Sequence, residues 1–318
     1  MDHSATAAGG HRLVYHDGAI RPEHEAVLPM GSIAVRYGVS AFEGVRLYRT
    51  AAGGLLAWKL DDHIRRLRHS CKTMGLYTDE LWDLPSIVQS LVERNGFDDD
   101  CYARIAVSAG NAGDLTTAAE PVLTVTVSPS GRKKWLRDGD GMRLTVSTWQ
   151  RTPVRAFPSA AKNISAYAGP RLAHAEARAA GFDNCLLTTP EGLVSEAPTA
   201  TVFLVEDGTL VTPRLRDLVL PGITRAWVLR TAEALGMKVE TAAVEPDRVR
   251  GGDEVFLCGT GVEFATVKEI DGRALGAWPS CPVTTELVDR YFAQVRGTEP
   301  ETRFTWAAEE SAEEDADA

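Results

Sequence analysis

Several common functional signatures are missing from this sequence. There is no Gly-x-Gly-x-x-Gly fingerprint, no Gly-x-x-x-x-Gly-Lys-Ser/Thr loop and no His-Glu-x-x-His. The usual cradles for dinucleotides and triphosphates, and the usual helical zinc pair, are therefore not offered. Cysteine is scarce: five residues (Cys71, Cys101, Cys185, Cys258, Cys281), scattered, odd in number and never in a Cys-x-x-Cys pair. That pattern argues against a disulfide framework or thiolate metal knot and fits reduced, mostly core-facing thiols in a cytoplasmic protein. No metal site is expected. No stretch approaches the ~20 apolar residues of a membrane helix. No apolar run precedes His11, so no signal peptide is expected. No basic cluster marks a nucleic-acid surface, and no internal repeat is visible.

What is present suffices for one large or two ordinary domains: 318 residues with 44% hydrophobic content. The net charge of −10 is unevenly spread. Glu309, Glu310, Glu313, Glu314, Asp315 and Asp317 carry six of those negative charges, leaving −4 for the rest. Almost nothing apolar accompanies them, so residues 301–318 read as an acidic, disordered tail.

Patterning places the elements. Leu13–Tyr15 reads as a strand before a turn at Asp17-Gly18. Ser32–Tyr37, a turn and Ala41–Tyr48 follow. Leu60, Ile64, Leu67, Cys71 and Met74 recur at helical spacing, opened by Asp61-Asp62 and ended by Gly75. A second helix is expected over Leu84–Arg94. Tyr102–Ser108, Val122–Val127 and Met142–Thr148 read as strands, the last closing the first half. Thr152–Pro158, with two prolines and no periodicity, reads as a linker. Beyond it, Pro170 can sit at N1 of an alanine-rich helix. Cys185–Ser195 and Thr201–Thr212 read as hairpins, the second turning at Asp207-Gly208. A helix over Thr224–Leu235 and a strand at Glu254–Leu257 complete an α/β chain of mixed α+β character. Two domains are expected, 1–150 and 151–300.

Lys162 lies in a run of small residues, with no other charged side chain between Phe157 and Gly169. A lysine normally keeps to a solvated face. Desolvation favours a neutral amine, the form that attacks a carbonyl and can hold an aldehyde cofactor as a Schiff base. An exposed loop lysine is the plainer alternative. Leu220–Arg225 opens directly into an amphipathic helix. Gly222 permits close backbone approach there, and a helix N-terminus binds anions; a simply capped helix start is the alternative. Gly259–Gly261, after a buried strand, offers N–H groups and one hydroxyl, or is only a turn. Glu196 ends a strand with no adjacent partner. If buried it needs a compensating positive charge, such as a protonated pyridine nitrogen; otherwise it is a loop acid. Arg66 stands beside the Leu60–Ile64–Leu67 stripe and can hold phosphate bidentately. Arg104 shares a strand face with Tyr102, either facing water or recognising a carboxylate.

Taken in order, these segments resemble a family. The motifs are Arg36-Tyr37-Gly38 with Phe42-Glu43-Gly44-Val45-Arg46, then His63–Leu67, Tyr102-Ala103-Arg104, Lys162 with Tyr167, Glu196 with Val202-Phe203, Leu220–Arg225, and Gly259-Thr260 ahead of Glu263. Over about Leu13 to Gly272 the chain is similar to fold-type IV enzymes that use pyridoxal 5'-phosphate, and closest to branched-chain amino acid aminotransferases. The resemblance implies a two-domain, D-amino acid aminotransferase-like fold with a smaller N-terminal and a larger cofactor-binding C-terminal domain. It also implies an active site between the domains, a homodimer, and a cytoplasmic enzyme of amino-acid biosynthesis. The implied reaction is ping-pong transfer of an amino group between an L-amino acid and a 2-oxo acid, with glutamate and 2-oxoglutarate as one pair. Lys162 would carry the cofactor and shuttle the proton. Glu196 would face the ring nitrogen and Tyr167 the phenolic oxygen. Arg66, Leu220, Gly222, Ile223, Thr224 and Thr260 would complete cofactor binding. Tyr37, Phe42, Gly44, Arg46, Tyr102 and Arg104 would wall the substrate, and the N–H groups of Gly261 and Val262 would meet its carboxylate. The resemblance leaves open a related lyase or D-amino acid transaminase, or a silent cofactor-binding scaffold. The departures from the family pattern (Asn163-Ile164, Ala197–Thr201, Val262 and Phe264) are expected on the substrate side.

Overall fold

Asp17 and Gly18 both adopt positive φ, 50° and 76°. This is the turn geometry that joins two strands tightly. In the computed structural model, which describes residues 12–137 and 139–298, it connects β1 (Leu13–His16) to β2 (Ala19–Pro22). The acidic tail expected at 301–318 lies outside the described residues. Three further strands follow: β3 (Ser40–Arg49), β4 (Leu55–Ala57) and β5 (Cys101–Ala109). With β6 (Pro121–Pro129) they make a six-stranded antiparallel sheet in the order β2-β1-β6-β5-β3-β4.

Three helices accompany this sheet. Ser32–Tyr37 forms a short helix, α1 (Ile33–Tyr37), because Ser32 accepts a hydrogen bond from the Val35 N–H and Gly38 closes it at φ 71°. Helix α2 (Leu60–Met74) packs on β3 through Ile64, Leu67 and Cys71 and ends at left-handed Gly75, as the periodicity predicts. Helix α3 (Leu84–Asn95) ends likewise at Gly96.

The second sheet collects α4 (Lys134–Arg137), β7 (Met142–Gln150), α5 (Ala168–Ala179), β8 (Asn184–Thr188), β9 (Thr201–Glu206) and β10 (Thr209–Pro213). It continues with α6 (Ile223–Ala234), β11 (Lys238–Ala242), α7 (Pro246–Arg250), β12 (Glu254–Gly259), β13 (Glu263–Ile270), β14 (Arg273–Ala274) and α8 (Pro282–Val295). The strand order is β11-β10-β9-β12-β13-β7-β8, with β14 beside β13. Strands β8 and β12 are buried almost continuously rather than alternately, the mark of a sheet covered on both faces. Helix α5 packs on β7 and β8, and α6 on β11 and β12.

Strand β7 does not close the first half. It lies between β13 and β8, parallel to both. A strand's own sequence sets its pleat but not its partners. Helix α5 begins at Ala168, two residues ahead of Pro170, after a 3-10 turn over Ser165–Tyr167. The arm expected at Leu193–Ser195 pairs through a single bridge, Thr188 with Val194.

The chain forms two compact units. The first runs to Gly131 and takes back Ala161–Ser165 and Val295–Gly297. The second holds Arg132–Ala160, Ala166–Gln294 and the residues from Thr298. Each has its own core, one around Leu47, Leu67, Leu91 and Val125, the other around Leu144, Val202, Leu257 and Val267. Among the described residues no helix is long and apolar enough to cross a membrane.

Candidate active site

Lys162 belongs to the short segment that rejoins the first unit. Strand β4 pairs β3 only at Leu47–Arg49, so the edge of β3 at residues 40–42 is open to another partner. The Lys162 segment fills it. Lys162 C=O accepts from the Phe42 N–H at 3.0 Å, Ile164 N–H donates to Ser40 C=O at 2.9 Å, and Asn163 pairs antiparallel with Ala41. The Lys162 N–H donates to the Ser70 hydroxyl on α2 at 2.9 Å. Both backbone groups of the lysine are thus fixed. Because side chains alternate, Asn163 turns with Ala41 toward the core and is fully buried. Lys162 turns with Phe42, and its Nζ lies 4.8 Å from the Phe42 ring centre. The lysine is half-buried.

The opposite face of β3 carries a charge cluster. Glu43 is completely buried against α2. Its Oε1 accepts from Arg66 Nε at 2.6 Å and its Oε2 from Arg66 Nη2 at 2.9 Å. His63 Nδ1 is 2.8 Å from the same Oε2. Burial alone would raise the Glu43 carboxyl, but Arg66 and His63 outweigh it and hold it well below the usual carboxylate range. Burial, with Arg66 and Lys162 nearby, keeps His63 below its ordinary value despite Glu43. Ser70 ties this cluster to the lysine, because its hydroxyl also donates to Arg66 C=O at 2.9 Å.

The residues expected near a substrate lie on β3, on β5 beside it, and at the end of α1. The register pairs Gly44 with Arg104 and Arg46 with Tyr102. The Arg104 guanidinium lies 4.2 Å from the Phe42 ring centre. Tyr102 lies across Gly44 so closely that a Cβ there would fall 1.7 Å from its hydroxyl, and the tyrosine ring would have to move aside for any side chain at that position. Arg46 is fully buried. Its Nη1 donates to Ser130 C=O and hydroxyl, both at 2.6 Å, and its Nη2 to Gly131 C=O at 3.2 Å. Tyr37 ends α1, half-buried, with the Arg36 guanidinium 5.1 Å from its ring centre.

In the second unit, Glu196 is buried, and its positive partner is Arg151. Arg151 Nη2 meets Oε1 at 3.0 Å, and Leu220 N–H donates to Oε2 at 3.3 Å. That second bond ties Glu196 to the loop entering α6. Gly222 caps α6 without a side chain, so its first-turn N–H groups receive no side-chain acceptor from the cap. A Cβ on Gly222 would stand 3.1 Å from both Thr201 Oγ1 and Arg225 Cβ. Thr201 faces Cys258 across β9 and β12, so the Gly259–Val262 turn leaves the same end of the sheet. Ile223 and Thr224 are buried, and Thr260 is half-buried. Tyr167 is half-buried at the start of α5. Gly261 is exposed, whereas Val262 packs on the second core.

Two departures from the family pattern turn inward instead of toward a substrate. Phe264 is fully buried between Trp227 and Tyr291, its ring edge-on to both. Asn163 is buried and donates to Ala161 C=O at 2.8 Å. Alternation along each strand sets both directions. Sequence reasoning gave no role to four polar residues of these clusters: Glu43 and His63, which it met only within motifs, and Ser70 and Arg151. Glu43 had one legible signal, a lone acid inside a long apolar strand.

Among the described residues no group of three His, Cys, Asp or Glu is placed to hold a metal ion. All five thiols are buried, and burial pushes Cys71 and Cys185 up to about 12, which leaves them unreactive.

Comparison with known proteins agrees with this geometry. The profile of the family described as Amino-transferase class IV matches residues 40–270. The probable branched-chain-amino-acid aminotransferase of Aquifex aeolicus is 29% identical over 295 residues, 90% of this chain and 93% of that protein. The crystal structure of the branched-chain aminotransferase from Thermoproteus uzoniensis with norvaline superposes with a TM-score of 0.85 at 32% identity, covering 92% of this chain and 97% of that one. The branched-chain amino acid aminotransferase from Thermobaculum terrenum, in its PLP form, superposes with a TM-score of 0.84 at 27% identity, over 91% and 95%. The mixed α/β fold expected from the sequence, here built on two sheets, superposes on those of these relatives. A lysine segment fixed on a strand edge, a glycine-capped helix and a family profile spanning both units agree: the chain belongs to the class IV aminotransferases and is a pyridoxal-phosphate-dependent enzyme.

Proposed function

We propose that the protein transfers an amino group between a branched-chain or related apolar L-amino acid and a 2-oxo acid, with glutamate and 2-oxoglutarate as one pair. The observation that carries this reading is the placement of Lys162: both backbone groups hydrogen-bonded, its amine over the Phe42 ring. The chain's residues fit pyridoxal 5'-phosphate. The uncapped start of α6, with a tight fit for any side chain at Gly222, suits a phosphate at Gly222, Ile223 and Thr224. Arg66 and Thr260 are assigned to the same phosphate. The buried Glu196 carboxylate suits a protonated ring nitrogen, Tyr167 a phenolic oxygen, and Leu220 helps to set the position of Glu196.

When bound, the cofactor supplies an electron sink for negative charge developing at the substrate Cα. Lys162 would hold the cofactor at its aldehyde carbon and, once freed by the incoming amine, its amine would carry the proton at the substrate Cα. Glu196, oriented by Arg151 and the Leu220 N–H, keeps a proton on the ring nitrogen. Phe42, Gly44, Tyr102 and Tyr37 bound an apolar side chain, and Arg46 supports them by bracing the chain at Ser130 and Gly131. Arg104 and the N–H groups of Gly261 and Val262 meet carboxylates. Gly44 and Tyr102 act as one shape, so a single methyl alters the space. One methylene in such a pocket discriminates by only ~1–3 kcal/mol. We assign the protein to the cytoplasm as a homodimer, as its scattered reduced thiols and family resemblance suggest.

The test is a panel of amino acids added to the protein loaded with pyridoxal phosphate. The loaded protein is expected to be yellow, bleached by borohydride, and colourless as Lys162→Ala. Leucine, isoleucine and valine are expected to discharge the colour, and 2-oxoglutarate to restore it. A protein that never takes up the cofactor refutes the reading. Release of pyruvate without discharge, or discharge by D-amino acids alone, redirects it to the lyase or D-specific branch.

A further inference from the structure

A completely buried carboxylate is expensive, and replacing a buried ion pair by apolar residues of the same volume is often neutral or favourable. Core packing alone therefore gives no reason for Glu43. Its geometry does. Both oxygens fork onto one edge of Arg66, Oε1 on Nε and Oε2 on Nη2, at 2.6 and 2.9 Å. His63 Nδ1, 2.8 Å from Oε2, holds the carboxylate from a second direction. Arg66 and His63 both come from α2, and Glu43 comes from β3. A two-point fork stops the guanidinium from rotating about its last torsions. It also fixes where the opposite corner, Nη1, is turned. One turn further along α2, Ser70 bonds the Arg66 carbonyl and the Lys162 N–H. Arg66 and the lysine are thus registered to a common frame.

We propose that Glu43 is a positioning residue for the cofactor's phosphate: it locks Arg66 through Nε and Nη2, so that Nη1 is presented in one orientation. This rests on the assignment of Arg66 to the phosphate. Glu43 touches neither cofactor nor substrate and acts through Arg66 alone.

The test uses the full-length protein stripped of cofactor and compares its affinity for pyridoxal phosphate with that for pyridoxal, which lacks the phosphate. The ratio of the two within each variant cancels general loosening of the fold. Glu43→Gln is expected to lower that ratio about tenfold, the order of one misdirected charge-assisted hydrogen bond. Arg66→Gln is expected to lower it at least as much, and the double variant no further than Arg66→Gln. If Arg66→Gln lowers the ratio and Glu43→Gln leaves it unchanged, the positioning role is overturned while the phosphate assignment stands. If Arg66→Gln leaves the ratio unchanged, the phosphate assignment falls and the positioning role falls with it. Should Glu43→Gln not fold, Glu43→Asp replaces it: the charge is kept, but the shorter arm cannot span both nitrogens. A lowered ratio in that variant, absent in the Arg66→Gln background, supports the proposal, and an unchanged ratio overturns it.

Discussion

Replacing Ser70 by alanine isolates the bond that fixes the backbone of Lys162. The Ser70 hydroxyl is fully buried and makes two hydrogen bonds, accepting from Lys162 N–H at 2.9 Å and donating to Arg66 C=O at 2.9 Å. The second is dispensable, because a helical carbonyl also accepts from the N–H four residues on. The first has no such substitute within the chain, and the flanking Ala161 and Asn163 are buried. An unsatisfied buried N–H costs about 1–3 kcal/mol. If local opening of the segment is what exposes that amide, its hydrogen exchange in Ser70→Ala should speed up by about 5- to 150-fold. Ile164, whose N–H bonds Ser40 C=O at 2.9 Å, is the internal comparison and should accelerate less. Ser70→Thr should restore protection, and Ser70→Cys, a weak acceptor, should not. Unchanged exchange at Lys162 in Ser70→Ala would refute the reasoning, because the hydroxyl would then not be what holds the lysine in register.

Acid should destabilise the fold in two stages. His63 is held below its ordinary 6.5, so below that pH the unfolded chain takes a proton that the folded one resists, and stability falls. Glu43 is held below its ordinary 4.5; its contribution is complete above that value and is lost as pH drops toward its depressed folded value. Urea midpoints measured from pH 7.5 to 4 should flatten above about pH 5 in His63→Gln, and an unchanged slope there would discount the histidine. Gly44→Ala places a Cβ 1.7 Å from the Tyr102 hydroxyl. Since the obstructing atom ends a rotatable side chain, the fold should tolerate the change. Steady-state kinetics should show a raised KM for the larger apolar amino acids, and identical constants would remove Tyr102 from the pocket.

Local signals carried much of the fold. Helix α2 was legible from the spacing of Leu60, Ile64, Leu67 and Cys71 and from Gly75, and the β9–β10 hairpin from Asp207-Gly208. The burial of Arg66 followed from its place beside that apolar stripe. Its partner did not, because Glu43 lies 23 residues earlier on another element and only tertiary packing joins them. Arg151 escaped for the same reason: a charged residue just ahead of an aperiodic, proline-bearing linker gives no sign of a buried partner. The pairing of β7 and the return of the Lys162 segment to the β3 edge are non-local choices. A period-two pattern says that a strand exists and which face is inward, and is silent on its neighbours.

That return has a consequence for how the protein is made. The first unit cannot be completed from the residues that begin it. Its sheet waits for Ala161–Ser165, and the Asp100 carboxylate waits for Arg296, which reaches both its oxygens at 2.6 Å. At ~5–20 residues per second, synthesis from Gly131 to Gly297 occupies on the order of ten to thirty seconds. Until Lys162 emerges, β3 presents bare N–H and C=O groups at residues 40–42, an edge open to pairing with another chain. The segment that carries the reactive amine is then also the one that seals that edge on the nascent protein, and a fragment ended at Gly131 would keep it open.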